Sequence, residues 1–230
     1  MKKVNLNNNQ ETNDFRSPKV SVLMSVYNGM AYVEQAVQSI LDQTFQDFEF
    51  IIINDGSTDD TKKVLENFSD PRMHIFMQSN TGLTIALNRG LKLCRGEFIA
   101  RMDADDLCLP ERLEQQLIFL NKHPKVGVVG TAYVEIDDKG KVLLEKPCLV
   151  EDIQLRKSLI KFNPLCHTSV MLRKSVLKKI GHYDESFSYA QDYELWFRIS
   201  KYYKLANIPQ PLTKRRIRNG NISFTFESEQ

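Results

Sequence analysis

Short apolar runs alternate along the chain with stretches in which apolar residues return every third or fourth position. Val20, Val22, Leu23, Met24 and Val26 form the first run, and Val33, Ala36, Val37, Ile40 and Leu41 follow at helical spacing. A short, continuous apolar run fits a buried strand, and the wider spacing fits a helix with one apolar face. The alternation continues. Residues 48–53 predict a second strand, and Val64, Leu65 and Phe68 a short helix that Ser57 or Thr58 would cap. Residues 74–77 predict a third strand, Leu83, Leu87, Gly90 and Leu91 a helical face, and residues 97–102 a fourth strand. Pro110 suits the first turn of a helix carrying Leu113, Leu117 and Leu120, and residues 126–129 predict a fifth strand. Strands that alternate with helices in this way imply an α/β fold built on a mostly parallel, helix-covered sheet.

After Gly130 the pattern changes. Residues 133–136 and 142–144 flank Asp137-Asp138-Lys139-Gly140, a hairpin signal. Ile153, Leu155, Leu159 and Ile160 mark a helical stretch, residues 166–172 look extended, and Leu195, Trp196, Ile199, Tyr202 and Tyr203 mark a last amphipathic helix. Residues 1–17 are polar and without periodicity, so they read as a flexible tail, as do residues 224–230. Between them, residues 18–223 read as one domain with two lobes, 18–130 and 131–223, because no linker separates the halves.

Composition narrows the class. At 230 residues, 42% hydrophobic and 26% charged, the chain suits one sizeable core and excludes disorder, collagen and coiled coil. No apolar run approaches the ~18 residues of a membrane span. The polar start, with Asn7, Asn8 and Asn9, lacks the apolar stretch of a secretory signal, so a cytoplasmic location is expected. Cys94, Cys108, Cys148 and Cys166 form no Cys-x-x-Cys pair and read as free thiols. Net charge is +2, with −4 in residues 1–150 and +8 in residues 151–218. The basic segment either faces phosphates, an anionic polymer or a membrane surface, or is the solvated side of ordinary helices.

Candidate chemistry gathers at strand ends. In open α/β sheets, ligands bind beyond the carboxyl ends of the strands. Ser25-Val26-Tyr27-Asn28, Asn54-Asp55-Gly56-Ser57 and Asp103-Ala104-Asp105-Asp106 each follow a predicted strand and would converge on one edge. Any one of them alone reads equally well as a turn. No Gly-x-Gly-x-x-Gly follows the first strand and no Gly-x-x-x-x-Gly-Lys occurs, which disfavours a dinucleotide dehydrogenase or a P-loop enzyme. A diphosphate bound at this edge would therefore need another counter-charge. A divalent cation, Mn²⁺ or Mg²⁺, held by Asp103 and Asp105 would supply it, and the alternative is a solvated acidic turn.

Taken in order, Val20-Ser21-Val22-Leu23-Met24-Ser25-Val26-Tyr27-Asn28, Asn54-Asp55-Gly56-Ser57-Thr58-Asp59, Asn80-Thr81-Gly82, Ala86-Leu87-Asn88, Arg101-Met102-Asp103-Ala104-Asp105-Asp106 and Gln191-Asp192-Tyr193-Glu194-Leu195-Trp196 resemble the family 2 glycosyltransferases of bacterial polysaccharide synthesis. The likeness runs over roughly residues 18–223. It implies a GT-A fold, with a Rossmann-like, mostly parallel sheet, helices on both faces and a mixed acceptor-side lobe. Residues 18–130 would bind the nucleotide sugar and 131–223 the acceptor. The implied reaction is inverting transfer of a hexosyl or N-acetylhexosaminyl group from a nucleotide diphosphate, most simply UDP, to a glycan or lipid-linked acceptor. Tyr27 matches the position that stacks on the base and Asp55 the one that accepts a hydrogen bond from it. An acceptor-only carboxylate suits the N3–H of uracil. Ser25, Asn28, Asn80 and Arg216 join the nucleotide site by the same likeness. Asp103 falls near the ribose and the cation, Asp105 on the cation, and Asp192 at the catalytic base. Asp106 and His167, in Asn163-Pro164-Leu165-Cys166-His167, fall on the acceptor side.

Two departures stand out. Asn54 replaces the first of two acids that many members carry after the second strand. Arg218 replaces a histidine in Arg215-Arg216-Ile217-Arg218, ahead of Asn219-Gly220-Asn221-Ile222-Ser223. A guanidinium there would still screen a diphosphate, but it cannot ligate a metal. Cys166 and His167 lie side by side, and on a strand they would point to opposite faces, which argues against a thiol nucleophile. Trp196, Tyr202 and Tyr203 read first as core, and Arg173, Lys174, Lys178 and Lys179 as a solvated helix, with peripheral contact to a membrane as the sharper reading. The rival classes are a nucleotide-sugar-binding protein without turnover, which Asp192 argues against, and an anionic-polymer-binding module. Nucleic acid is not an expected partner, since no aromatic–basic interleaving is present.

Overall fold

The computed structural model describes residues 17–218. All but Ser17 of the expected tail at residues 1–17, the segment 219–223 and the expected tail at 224–230 lie outside the described residues. Strands β1 (Val20–Val26), β2 (Phe48–Asp55), β3 (Met73–Gln78) and β4 (Phe98–Asp103) alternate with helices α1 (Val33–Leu41), α2 (Thr61–Glu66) and α3 (Leu83–Leu93). The remaining elements are β5 (Leu107–Cys108), α4 (Arg112–Lys122), β6 (Val126–Ile136), β7 (Val142–Lys146), α5 (Asp152–Ser158), a 3₁₀ turn (His167–Ser169), β8 (Met171–Arg173), α6 (Lys174–Ile180), α7 (Gln191–Ser200) and β9 (Lys204–Arg216).

All lie on one sheet in the order β3-β2-β1-β4-β8-β6-β9-β5, with β7 paired to β6. The first four strands are parallel, and the short β8 runs antiparallel between β4 and β6, so it joins a parallel half to a mixed half. β6 and β9 are parallel, whereas β5 and β7 pair antiparallel with β9 and β6.

The apolar residues of β1 explain why both faces are covered. Val20, Val22, Met24 and Val26 pack with Val33, Ala36, Val37 and Ile40 of α1, Leu65 of α2 and Leu113, Leu117 and Leu120 of α4. Leu23 points the other way, to Ala86, Leu87 and Leu91 of α3, in a second core that also takes Leu155, Leu177, Leu195, Trp196 and Ile199. Successive side chains of a strand face opposite sides, so a run buried on both faces needs no polar alternation. Gly90 lets α3 sit close on the sheet, because a Cβ there would stand 2.2 Å from Leu23 Cδ1.

Several local expectations are corrected. Residues 126–129 and 133–136 belong to one strand, β6, rather than two. Residues 167–169 form a 3₁₀ turn, not a strand, with the Ser169 hydroxyl donating to the Cys166 carbonyl at 2.8 Å. Asp60 precedes α2, and neither Ser57 nor Thr58 caps it: Ser57 Oγ accepts from the Asn28 N–H at 2.9 Å instead. β9 carries Pro209 and Pro211 and was not expected as a strand. Its register against β6 jumps from Ile208 to Pro211, a bulge that accommodates the missing N–H donors. Arg173 and Lys174 are half-buried rather than fully solvated. Arg173 Nε donates to the Val126 carbonyl at 3.0 Å, and Lys174 Nζ to that of Cys94 at 2.5 Å. Lys178 and Lys179 are exposed, and Lys179 lies 4.9 Å from the Tyr202 ring centroid. Trp196 is fully buried, whereas Tyr202 is 64% exposed and so is not core. Among the described residues, no helix is long and apolar enough to cross a membrane.

Candidate active site

The register of the parallel strands brings the polar clusters to one edge. Ser25 of β1 lies opposite Ile53 of β2 and opposite Asp103 of β4, so the ends of three strands stand side by side. Asp55, at the end of β2, is separated from β4 by β1 alone, which puts it about 10 Å away at the usual ~4.8 Å between strands.

Asn28 laces two of the loops together. It takes a left-handed backbone (φ 51°), and its Oδ1 accepts from the Thr58 N–H at 2.8 Å. Tyr27 beside it is 53% exposed, which leaves its ring open to a planar partner. Asp55 is buried and fully engaged. Its Oδ1 accepts from Thr81 N–H at 2.9 Å and Gln78 Nε2 at 2.6 Å, and its Oδ2 from Gly82 N–H at 2.9 Å. The carboxylate thus ties β2 to the start of α3. Gly56 adds a close approach: at φ 74° it brings the chain so near Asn80 that a Cβ would meet the Asn80 nitrogen at 2.4 Å. Asn80 itself is exposed on this rim. Asn54 is buried, its Oδ1 accepting from the Ser57 N–H at 3.0 Å, so the residue that departs from the family pattern shapes the turn.

Asp55→Asn is expected to destabilise the fold by about 2 kcal/mol, because an amide nitrogen replaces an oxygen that faces an N–H donor and the charge-assisted bonds are lost. Urea denaturation of the pure variant measures this.

The loop after β4 contains three acids in different settings. Asp103 is partly open, its N–H donates to Thr168 Oγ1 at 3.0 Å, and its carboxylate lies 2.5 Å from Arg101 Nη1. Asp105 is paired with Arg218. Burial and the nearby Asp103 charge push its carboxyl upward, and Arg218 pulls it down. Asp106 turns inward, where it is 3% exposed and accepts from the Arg216 N–H at 2.7 Å. Burial first, then the charges of Asp103 and Asp105, push its pKa up to about 8. A carboxyl raised on folding weakens the fold as pH climbs from its ordinary range towards that value. Asp106→Asn is therefore expected to gain stability relative to the wild type between about pH 4 and pH 8, read as a melting-temperature difference that widens with pH.

Arg101 was legible only as part of a motif. It is a buried cation on β4, and none of its N–H groups makes a hydrogen bond of ordinary geometry. The Asp103 carboxylate is its ion-pair partner, and a buried charge needs such a partner. Asp192 is the second residue of α7, after Ala190 in a left-handed conformation (φ 57°). Burial raises its pKa, while the Tyr193 N–H, the Asn163 amide at 2.7 Å and the Arg101 charge lower it. Arg101 thus acts electrostatically on both Asp103 and Asp192, which come from distant stretches of chain.

His167 opens the 3₁₀ turn, with Nε2 2.8 Å from the Tyr183 hydroxyl and its ring edge-on to Trp196. Burial and the Arg101 charge hold its pKa well below the ordinary range, so it is neutral. Cys166 is not on a strand, so the argument from opposite faces does not apply. Its thiol is pushed up to about 12 by burial, which itself rules out a reactive thiolate near neutrality. Arg216 is buried and braces the site. It donates to the carbonyls of Asp105, Asp137 and Asp138 at 2.9, 2.9 and 2.8 Å and to Gln35 Oε1 at 3.0 Å.

Asp103 and Asp105 offer hard oxygen ligands next to one another. Among the described residues no group of three His, Cys, Asp or Glu side chains forms a complete protein cage. Mg²⁺ and Mn²⁺ suit such a pair, since they commonly take one or two carboxylates and complete their shell with water or phosphate oxygens. The residues present fit the cation that was expected.

Residues 21–181 match the model of Glycosyl transferase family 2. A glycosyltransferase of Haemophilus influenzae described as uncharacterized is 32% identical over 232 residues, covering 93% of this chain and 70% of its own. The amylovoran biosynthesis glycosyltransferase AmsE of Erwinia amylovora is 36% identical over 202 residues, covering 85% of this chain and 75% of its own. The crystal structure of S. aureus TarS 1–349 in complex with UDP-GlcNAc superposes with a TM-score of 0.73 at 20% identity. That match covers 88% of this chain and 60% of the TarS chain, so the present chain spans about three fifths of that length. The fold is therefore GT-A, and the chain belongs to glycosyl transferase family 2.

Proposed function

We propose that this chain transfers a sugar, with inversion, from a nucleotide diphosphate to a hydroxyl of a glycan or lipid-linked acceptor in cell-surface polysaccharide synthesis. The observation that carries the reading is the anchored Asp192 carboxylate, oriented by Asn163 and under the influence of the same buried Arg101 that pairs with Asp103. A base and a donor-side carboxylate that share one cation belong to one crevice. The name of AmsE supports the polysaccharide context, and the UDP-GlcNAc complex of TarS supports a UDP-linked donor, hexosyl or N-acetylhexosaminyl.

In this mechanism Tyr27 presents its ring to the base, and the loops held by Asp55 and Asn28 shape the nucleotide pocket with Ser25 and Asn80. Asp103 and Asp105 would hold the divalent cation, which supplies Lewis-acid stabilisation of the departing diphosphate. Asp192 accepts the proton of the acceptor hydroxyl as its oxygen attacks the anomeric carbon from the opposite face. Asn163 keeps that carboxylate in place. His167, neutral and bonded to Tyr183, lines the acceptor side without exchanging protons. The reaction is placed in the cytosol, where nucleotide sugars are the donors, with contact to the inner membrane face for a lipid-linked acceptor.

Titration calorimetry with UDP and Mn²⁺, run beside a donor-hydrolysis assay, tests the reading. Binding accompanied by hydrolysis or transfer supports it. Binding without either, across the common nucleotide sugars and acceptors, favours a sugar-nucleotide-binding protein without turnover.

A further inference from the structure

Arg218 grips one oxygen of Asp105 with two of its nitrogens: Nε lies 3.1 Å and Nη2 3.0 Å from Oδ2. Its guanidinium also lies over the Tyr32 ring at 5.6 Å, where that of Arg216 lies at 4.5 Å. The two arginines differ in freedom. Arg216 is 1% exposed and tied to the carbonyls of Asp105, Asp137 and Asp138. The Arg218 side chain is 44% exposed, with Asp105 as its ion-pair partner. Asp105 and Asp103 keep 23% and 35% of their side chains exposed, so both open towards solvent. Two carboxylates without a third protein ligand hold Mg²⁺ or Mn²⁺ weakly unless phosphate oxygens complete the shell. Both already face a guanidinium, Asp103 that of the buried Arg101 and Asp105 that of the more exposed Arg218, and a second positive charge at the Asp105 oxygen meets strong repulsion at that range.

We propose that Arg218 is the resident counter-ion of Asp105 in the free protein and is exchanged for the divalent cation when that cation arrives with a nucleotide diphosphate, so that Arg218 sets the order of binding. This rests on the reading of Asp103 and Asp105 as cation ligands. The negative charges of the diphosphate offset the incoming dication, and the guanidinium stays in the crevice. Asp103 and Asp105 would then hold the cation, and the freed guanidinium, beside Tyr32, would meet the diphosphate, whose oxygens match its planar fork.

The test measures bound Mn²⁺ from the electron paramagnetic resonance signal of the free ion, with and without UDP. It compares wild type, Arg218→Ala and Arg218→Lys. A partly exposed ion pair supports an effect of about fivefold. Arg218→Ala is expected to bind Mn²⁺ alone about fivefold more tightly than wild type and to gain less from UDP, while Arg218→Lys stays near wild type. Equal Mn²⁺ affinity for wild type and Arg218→Ala without nucleotide, with UDP still strengthening binding in both, overturns the exchange and leaves the cation reading standing. Absence of Mn²⁺ binding in both proteins even with UDP overturns the cation reading and the exchange with it.

Discussion

Asp192→Asn is expected to lower sugar transfer by roughly 10²–10⁴-fold, the usual span for a positioned general base, while the affinity for UDP stays near that of the wild type. The substitution is close to isosteric. The new side-chain oxygen still accepts from Asn163 Nδ2, and the residue stays in the first turn of α7, so the fold has little reason to change. What is lost is a group able to take the acceptor's proton. The pH profile gives an independent check. Burial raises the Asp192 pKa, partly offset by the Tyr193 N–H, the Asn163 amide and the Arg101 charge. The base works ionised, so transfer by the wild type falls as pH drops through that raised value, above the ordinary carboxylate range of about 3.9. This acid limb should vanish from the residual activity of Asp192→Asn. Normal transfer by the variant, or an unchanged limb, would remove Asp192 from the role.

The readable parts of the fold were those buried on both faces or governed by local chemistry. β1 and β2 announce themselves because each residue from Val20 to Val26 and from Phe48 to Asp55 is buried, and the Asp137–Gly140 hairpin because its turn residues act within a few positions. β9 was hidden by Pro209 and Pro211, which lack N–H donors and fit a strand only because β6 supplies a bulged partner. The 3₁₀ turn at 167–169 read as extended because it runs directly into the alternating residues that lead to β8. In the site, the strand-end acids were visible by residue type and place. Their separate environments were not. Asp106 turns inward and Asp105 meets Arg218, and those facts depend on a strand more than a hundred residues later. The role of Arg101, visible only as part of a motif, was hidden for the same reason, since a charge inside an apolar run acquires meaning only from what surrounds it in space.

Arg216 provides the sharpest separation of a bracing role from a binding role. The family likeness placed it on the nucleotide, whereas its guanidinium donates to three backbone carbonyls and to Gln35, and its own N–H donates to Asp106. These contacts tie the end of β9 to the loop bearing Asp105, to the β6–β7 turn and to α1. Arg216→Ala leaves four acceptors without donors, on the half-buried Asp105 and Asp137 and on the exposed Asp138 and Gln35. At about 1 kcal/mol net for each bond, and less at the two exposed acceptors, the expected loss is about 3 kcal/mol. For a chain of this size that corresponds to a fall in melting temperature of roughly 10 °C. Arg216→Lys should recover only part of it, because one ammonium cannot span carbonyls that a planar fork reaches together. Scanning calorimetry and UDP titration on the same samples separate the roles. A brace predicts a large drop in melting temperature, with UDP binding retained at low temperature in Arg216→Lys. A variant that melts with the wild type but no longer binds UDP would return Arg216 to the nucleotide.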